Sequence, residues 1–127
     1  MELDLRIRLY ISGCCSILTY GSEAWPLDDE TCKIINGANA YMLSHITGRT
    51  RHEEASSATT TFNLLWWIRA RRKKWLGHIL RMKDDRMIKQ AVRHIHEYRR
   101  AGDLLMDVDD DISWPDLQKK AADRDQW

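Results

Sequence analysis

The sequence predicts an all-α fold, a small irregular bundle of about four to five helices, and three observations predict it. Apolar residues between Leu64 and Met82 recur with helical period, and a second such run extends from Asp85 to Arg100. Capping and stopping residues stand between the periodic runs: Asp28 or Asp29, Gly48, Asn63, Asp84 or Asp85, Gly102 and Ser113.

Residues 1–20 leave two choices open. Leu3, Leu5, Ile7, Leu9 and Ile11 alternate as in a strand, while Leu3, Ile7, Tyr10, Cys14 and Leu18 also fit one helical face. The stretch 20–26 is a break punctuated by Gly21 and Pro26, with Trp25 as a core anchor. A helix is expected over 28–47, capped by Asp28 or Asp29, with an inward stripe of Ile35, Ala38, Met42 and Ile46 and a stop at Gly48. Asn36-Gly37 weakens its middle. Residues 49–61 are polar, and Glu53 and Glu54 open at most one or two helical turns.

Asn63 caps the central helix. At about 100° per residue, Leu64, Leu65, Ile68, Trp75, Leu76, Ile79 and Met82 form one buried stripe. Arg72 projects into that stripe and should snorkel out or meet a buried carboxylate. The opposite side gathers Trp66, Ala70, Lys73, Lys74, Gly77 and Arg81. Its small residues admit a neighbouring backbone and its cations attract an anionic one; a solvated basic face against another helix is the competing reading.

Asp84 or Asp85 then caps a helix with Ile88, Ala91, Val92, Ile95 and Tyr98 inward and Arg86, Lys89, Arg93, Arg99 and Arg100 outward. The two segments, approximately 64–82 and 85–100, make a basic αα-hairpin. Residues 103–112 read as an acidic linker. Ser113-Trp114-Pro115-Asp116 is a capping-box-like start for a final helix ending near Trp127. The expected organisation is a helical region 1–102, the linker 103–112 and a C-terminal helical segment 113–127.

A chain of 127 residues can hold one domain with a core and is too short for a polymerase. No apolar run approaches the roughly 18 residues of a membrane span, so no membrane partner is expected. Met1 is followed by Glu2, Asp4, Arg6 and Arg8, unlike a secretory leader, and a nuclear or cytoplasmic location is expected. Three cysteines, two of them adjacent, form neither a disulfide framework nor a zinc knuckle and read as small buried hydrophobes.

The net charge of +1 conceals a segregation. Residues 63–102 carry 12 basic and 3 acidic side chains, a local charge of +9, against −8 for the rest of the chain. A cationic segment of this kind is the electrostatic footprint of a nucleic-acid surface.

Catalytic and metal constellations fail on geometry. His94 and His96 lie two apart on a helix and cannot share a metal. Asp107, Asp109 and Asp111 match the start of a calcium loop, but Ile112 stands at its glycine and Gln118 at its final glutamate. Asp84-Asp85 superficially looks like a polymerase metal pair, yet it sits between basic helices where a cap is wanted. No nucleophile–base arrangement or phosphate-binding glycine loop is present.

Four strings then occur in order: Leu18-Thr19-Tyr20-Gly21-Ser22-Glu23-Ala24-Trp25; Ile46-Thr47-Gly48-Arg49-Thr50; Ile68-Arg69-Ala70-Arg71-Arg72 running into Trp75-Leu76-Gly77-His78-Ile79-Leu80-Arg81-Met82; and Ala122-Asp123-Arg124-Asp125-Gln126-Trp127. This series resembles the region downstream of the polymerase palm in non-LTR (LINE-type) retrotransposon endonuclease–reverse transcriptases, and it covers almost the whole chain. The resemblance implies a helical thumb and post-thumb connector of an RNA-directed DNA polymerase, gripping an RNA/DNA template-primer duplex beside the palm. The family's palm, fingers and endonuclease lie upstream of the matching region, so no catalytic residue is expected here. No cofactor is expected in this chain either, magnesium belonging to the palm. The Trp75-Leu76-Gly77-His78 block corresponds to the family's Trp-Leu-Gly-His block. Two departures stand out: the Gly-Arg-Pro-rich basic stretch of many relatives is replaced by acidic 107–111, and no zinc knuckle follows Trp127.

The expected function is non-catalytic nucleic-acid binding by a fragment of a mobile element beginning at an internal methionine. The contact residues are Arg69, Arg71, Lys73, Lys74, Gly77, His78, Arg81, Lys89 and Arg93, with Trp66 stacking or packing. The expected partners are the duplex and the parent's palm and fingers, whose removal orphans apolar surface at Trp25, Trp66 and Trp67. Two other readings stay open: a basic amphipathic helix for a protein partner or anionic membrane, and a degenerate remnant without activity.

Overall fold

Residues 3–18 are helical and not strand, with Leu3, Leu5 and Leu9 exposed and Tyr10, Cys15 and the following Thr19 buried. The computed structural model in which they are seen describes residues 1–56, 60–98, 112–125 and 127. Helix α1 (Leu3–Leu9) passes through a π-helical turn, Tyr10–Cys15, into the short α2 (Ser16–Leu18). The wider turn explains why the expected helical face was partly wrong. One extra residue per turn carries the buried position from Tyr10 to Cys15 and on to Thr19, leaving Cys14 and Leu18 exposed.

The chain divides into two compact units, Met1–Ser22 with Asp29–Ile68, and Glu23–Asp28 with Arg69–Trp127. In the first unit, α3 (Asp29–Thr47) ends at Gly48, whose φ of 75° is the left-handed stop that glycine adopts without strain. Its buried residues are Ile35, Asn39, Ala40 and Leu43; Ala38 is exposed, and Met42 and Ile46 are half-buried. The stripe is therefore turned from the expected one, and a polar residue lies in its centre. Asn39 is tolerated because both ends of its amide are bonded. Its Oδ1 accepts from the Tyr10 hydroxyl at 2.9 Å and its Nδ2 donates to the Phe62 carbonyl at 2.7 Å. The Phe62 ring stands edge-on to Tyr10 and to Trp67.

Helix α4 (Arg51–Ala55) opens with a capping box. The Thr50 N–H donates to Glu53 Oε2 at 2.8 Å and the Glu53 N–H to Thr50 Oγ1 at 3.3 Å. Its neighbour Glu54 is only 2% exposed. The Thr47 and Thr61 hydroxyls each donate to its Oε1 at 3.0 Å, and the Thr61 N–H donates to Oε2 at 3.0 Å. Burial alone would raise this carboxyl, but the Thr61 N–H, the two hydroxyls and nearby Arg49 outweigh it and hold the group below the ordinary glutamate range.

Helix α5 (Leu64–Leu80) begins where Asn63 Oδ1 accepts the Trp66 N–H at 2.8 Å, the expected cap. Leu64, Leu65, Ile68, Leu76 and Ile79 are buried as expected, Leu80 joins them, and Trp75 and Met82 are half-buried. Arg72 is 2% exposed, so it does not snorkel to solvent.

In the second unit, α6 (Met87–Glu97) starts without a side-chain cap at Arg86, and neither Asp84 nor Asp85 fills that role. Its buried residues are Lys89 and Val92, with Ile95 half-buried, while Ile88, Ala91 and Tyr98 are exposed. Helix α7 (Trp114–Ala122) is capped by Ser113, whose Oγ accepts the Asp116 N–H at 3.3 Å; it ends at Ala122, short of Trp127. Leu76, Ile79, Leu80, Val92, Leu117 and Ala121 form one buried cluster, lined by Trp75, Ile95, Ile112, Trp114 and Trp127. Each fully buried leucine or isoleucine there contributes about 1.5–3 kcal/mol, so the C-terminal helix packs as part of this unit, although the sequence set 113–127 apart. Leu27, not Trp25, is the buried residue of 23–28; Trp25 is half-buried.

The acidic run 103–111, and Arg99 and Arg100, which were expected outward, lie outside the described residues. Among the described residues there is no strand, and no helix is long and apolar enough to cross a membrane.

Candidate nucleic-acid interface

Positions 70, 74, 78 and 81 follow helical spacing, and they place Ala70, Lys74 and His78 of α5 and Arg81, the residue just past its end, on one exposed row. Lys73 borders the row and is also exposed. This row is the part of the expected surface that the fold leaves open.

The other expected contacts have different surroundings. Lys89 was expected outward among phosphates, but it is 5% exposed. Its Nζ donates to the Met82 carbonyl at 2.7 Å and lies 2.7 Å from Asp84 Oδ1. A lysine stem can cross apolar ground to reach orphan carbonyls after a helix end, and here it ties the α5–α6 turn. That ammonium holds the Asp84 carboxyl below its ordinary range, first through the hydrogen bond and then through its charge. Arg71 sits 3.2 Å from Glu23, and Arg69 is half-buried. Arg93 remains exposed and pairs with Glu97 one turn on at 3.4 Å, a surface contact worth about 0.3–0.5 kcal/mol that a phosphate can replace.

Gly77 is the second correction. It was expected on the open basic face, yet it is buried beneath the Trp127 indole. A methyl group on Gly77 would lie 2.8 Å from Cδ1 and 2.9 Å from Cε2 of that ring. The indole Nε1 donates to the Lys73 carbonyl at 2.6 Å, and the Lys73 ammonium stands 5.7 Å from the ring centroid. Arg81 Nη1 donates to the Ala121 carbonyl at 2.8 Å. The close approach expected at the small residue therefore occurs, with an indole of the same chain as the visitor. Nothing in the local pattern around Trp127 marks it for this contact, because its partner is 54 residues away.

His94 stacks on Tyr98 at 4.7 Å between centroids, while His96 meets the Ile112 carbonyl at 3.0 Å and the Trp114 ring at 5.5 Å. The two imidazoles are engaged separately. Among the described residues no group of three or more His, Cys, Asp or Glu is placed to hold a metal ion. Lys119 and Lys120, exposed in the last turn of α7, add cations to the unit that the expected set did not include.

The chain is similar to a transposon-derived protein. That protein, from Caenorhabditis elegans and described as uncharacterized, is 26% identical over 94 residues, which make up 67% of this chain and 34% of the relative. The chain thus spans about a third of the relative's length. No family model and no solved structure matches. The likeness supports a transposon origin.

Proposed function

We propose that this chain is a non-catalytic piece of a LINE-type reverse transcriptase, the thumb-like region that holds an RNA/DNA template-primer duplex. The observation that carries the proposal is the exposed row of Lys74 and His78 on α5 and Arg81 just past its end, flanked by Lys73. The transposon-derived relative and the four ordered strings that resemble that polymerase family support the same reading. Chemically, the row makes sequence-independent contacts to a phosphate backbone, and the polymerising acids and their magnesium belong to a palm elsewhere in the parent. Trp66, 66% exposed, is available to stack or to pack.

With Lys89, Gly77 and Arg71 engaged internally and Arg69 half-buried, the lysines and arginines of the expected set that stay exposed are Lys73, Lys74, Arg81 and Arg93, beside His78. Four neutralised phosphates on a duplex give a log–log salt slope of roughly −3 to −4. Binding of the purified chain to an RNA/DNA hybrid, followed between about 50 and 200 mM salt, tests this. A flat response, or equal affinity for anionic vesicles, removes the nucleic-acid reading and leaves the membrane or remnant alternatives.

One feature favours a protein partner as well. Leu3, Leu5, Leu9, Ile17, Leu18 and Tyr20 are all exposed in the first unit, with Ile17 at 80% and Tyr20 at 88%. Apolar exposure of this extent fits a surface that the parent's palm and fingers cover. Trp67 and Trp25, expected on the same orphaned surface, are half-buried.

A further inference from the structure

Helix α7 ends at Ala122, and beyond it the Trp127 indole rests on α5. The Trp127 N–H donates to the Asp123 carbonyl at 3.1 Å and the Asp125 N–H to Asp123 Oδ1 at 3.0 Å, which shapes one local turn. The attachment of Trp127 to α5 comes through its indole. That ring rests on Gly77, donates to the Lys73 carbonyl, and receives the Lys73 ammonium on its face. Immediately before the turn, the Ala121 carbonyl occupies one arm of Arg81. Trp127 thus engages two of the nine residues expected to meet nucleic acid, Lys73 and Gly77, while Arg81 is held by α7 itself.

We infer that Trp127 anchors an autoinhibitory strap, its indole seated in the Gly77 notch and competing with a phosphate backbone for the Lys73 edge of α5. A polyanion that reaches Lys73 displaces the ammonium from the indole face. The indole is half-exposed at the rim of the cluster it lines, and α7 has anchors of its own in the fully buried Leu117 and Ala121, so the seat can empty without unfolding that helix. Glycine at 77 is what makes the seat, since any side chain there meets the ring.

The inference rests on the nucleic-acid reading above, and the experiment separates the two. Affinity for a short labelled RNA/DNA hybrid is measured for the wild-type chain, for W127A and for G77A, which evicts the indole while keeping it in the chain. Both variants bind about two- to tenfold tighter, the worth of one hydrogen bond no longer displaced, with the salt slope unchanged because no phosphate contact is lost. In the wild-type chain, saturating hybrid also releases the Trp127 indole N–H to rapid hydrogen exchange, a readout that does not depend on either variant folding. Unaltered or weaker binding by both variants, or an indole N–H still protected in the saturated complex, overturns the strap and leaves the binding function standing. Absence of binding by all three chains overturns both.

Discussion

The Lys89 ammonium lies 2.7 Å from the Asp84 carboxylate, with the Met82 carbonyl at the same distance on the same nitrogen. An outward-reading cation is thereby a strut of the α5–α6 turn. K89M is expected to lower stability by about 1 kcal/mol, since it leaves the Met82 carbonyl without that partner, and to leave the salt slope of hybrid binding where it was. K74A is the converse: stability within about 0.5 kcal/mol and a slope less negative by about one. Thermal melts and salt titrations of the two variants decide the matter, and a flattened slope in K89M would return Lys89 to the binding surface.

Tyr10, Asn39 and Phe62 form one buried chain of hydrogen bonds in the first unit. N39A leaves the Tyr10 hydroxyl and the Phe62 carbonyl without that partner and is expected to cost about 1–3 kcal/mol. Because the Tyr10 hydroxyl is bonded to Asn39, Y10F and N39A should be non-additive by about 0.5 kcal/mol or more in a denaturant double-mutant cycle. Strict additivity would mean that the two side chains do not share the bond.

Glu54 sets an acid limb. Its folded-state carboxyl titrates below the ordinary range despite burial, so the ionised form is the one the fold prefers. The sign follows: its contribution is complete above the unfolded glutamate value near about 4.3 and is lost as the pH falls through the lower folded value. E54Q is expected to lose about 1–3 kcal/mol at neutral pH and to show a shallower decline in stability below about pH 4.5. Urea midpoints across the acid range measure both; parallel acid limbs in the two proteins would contradict the assignment.

What was legible in the sequence is what neighbours in the chain decide. Asn63 and Ser113 cap helices because each side chain reaches an N–H three residues on, and Gly48 stops one because it can turn left-handed. The stripe Leu64, Leu65, Ile68, Leu76 and Ile79 was readable for the same reason: an uninterrupted α-helix turns by a constant angle per residue. The π turn at Tyr10–Cys15 breaks that constancy, and the face beyond it could not be counted out.

Tertiary structure alone decided the fate of the polar and small residues. Asn39 is buried through Tyr10, 29 positions away, Glu54 through Thr47 and Thr61, seven away on either side, and Gly77 beneath Trp127. A polar group goes inside only when partners complete its hydrogen bonds, and those partners are brought by packing, not by proximity along the chain. Composition therefore located the positive charge in 63–102, while the fold chose which of those cations face solvent and which, like Lys89, hold the protein together.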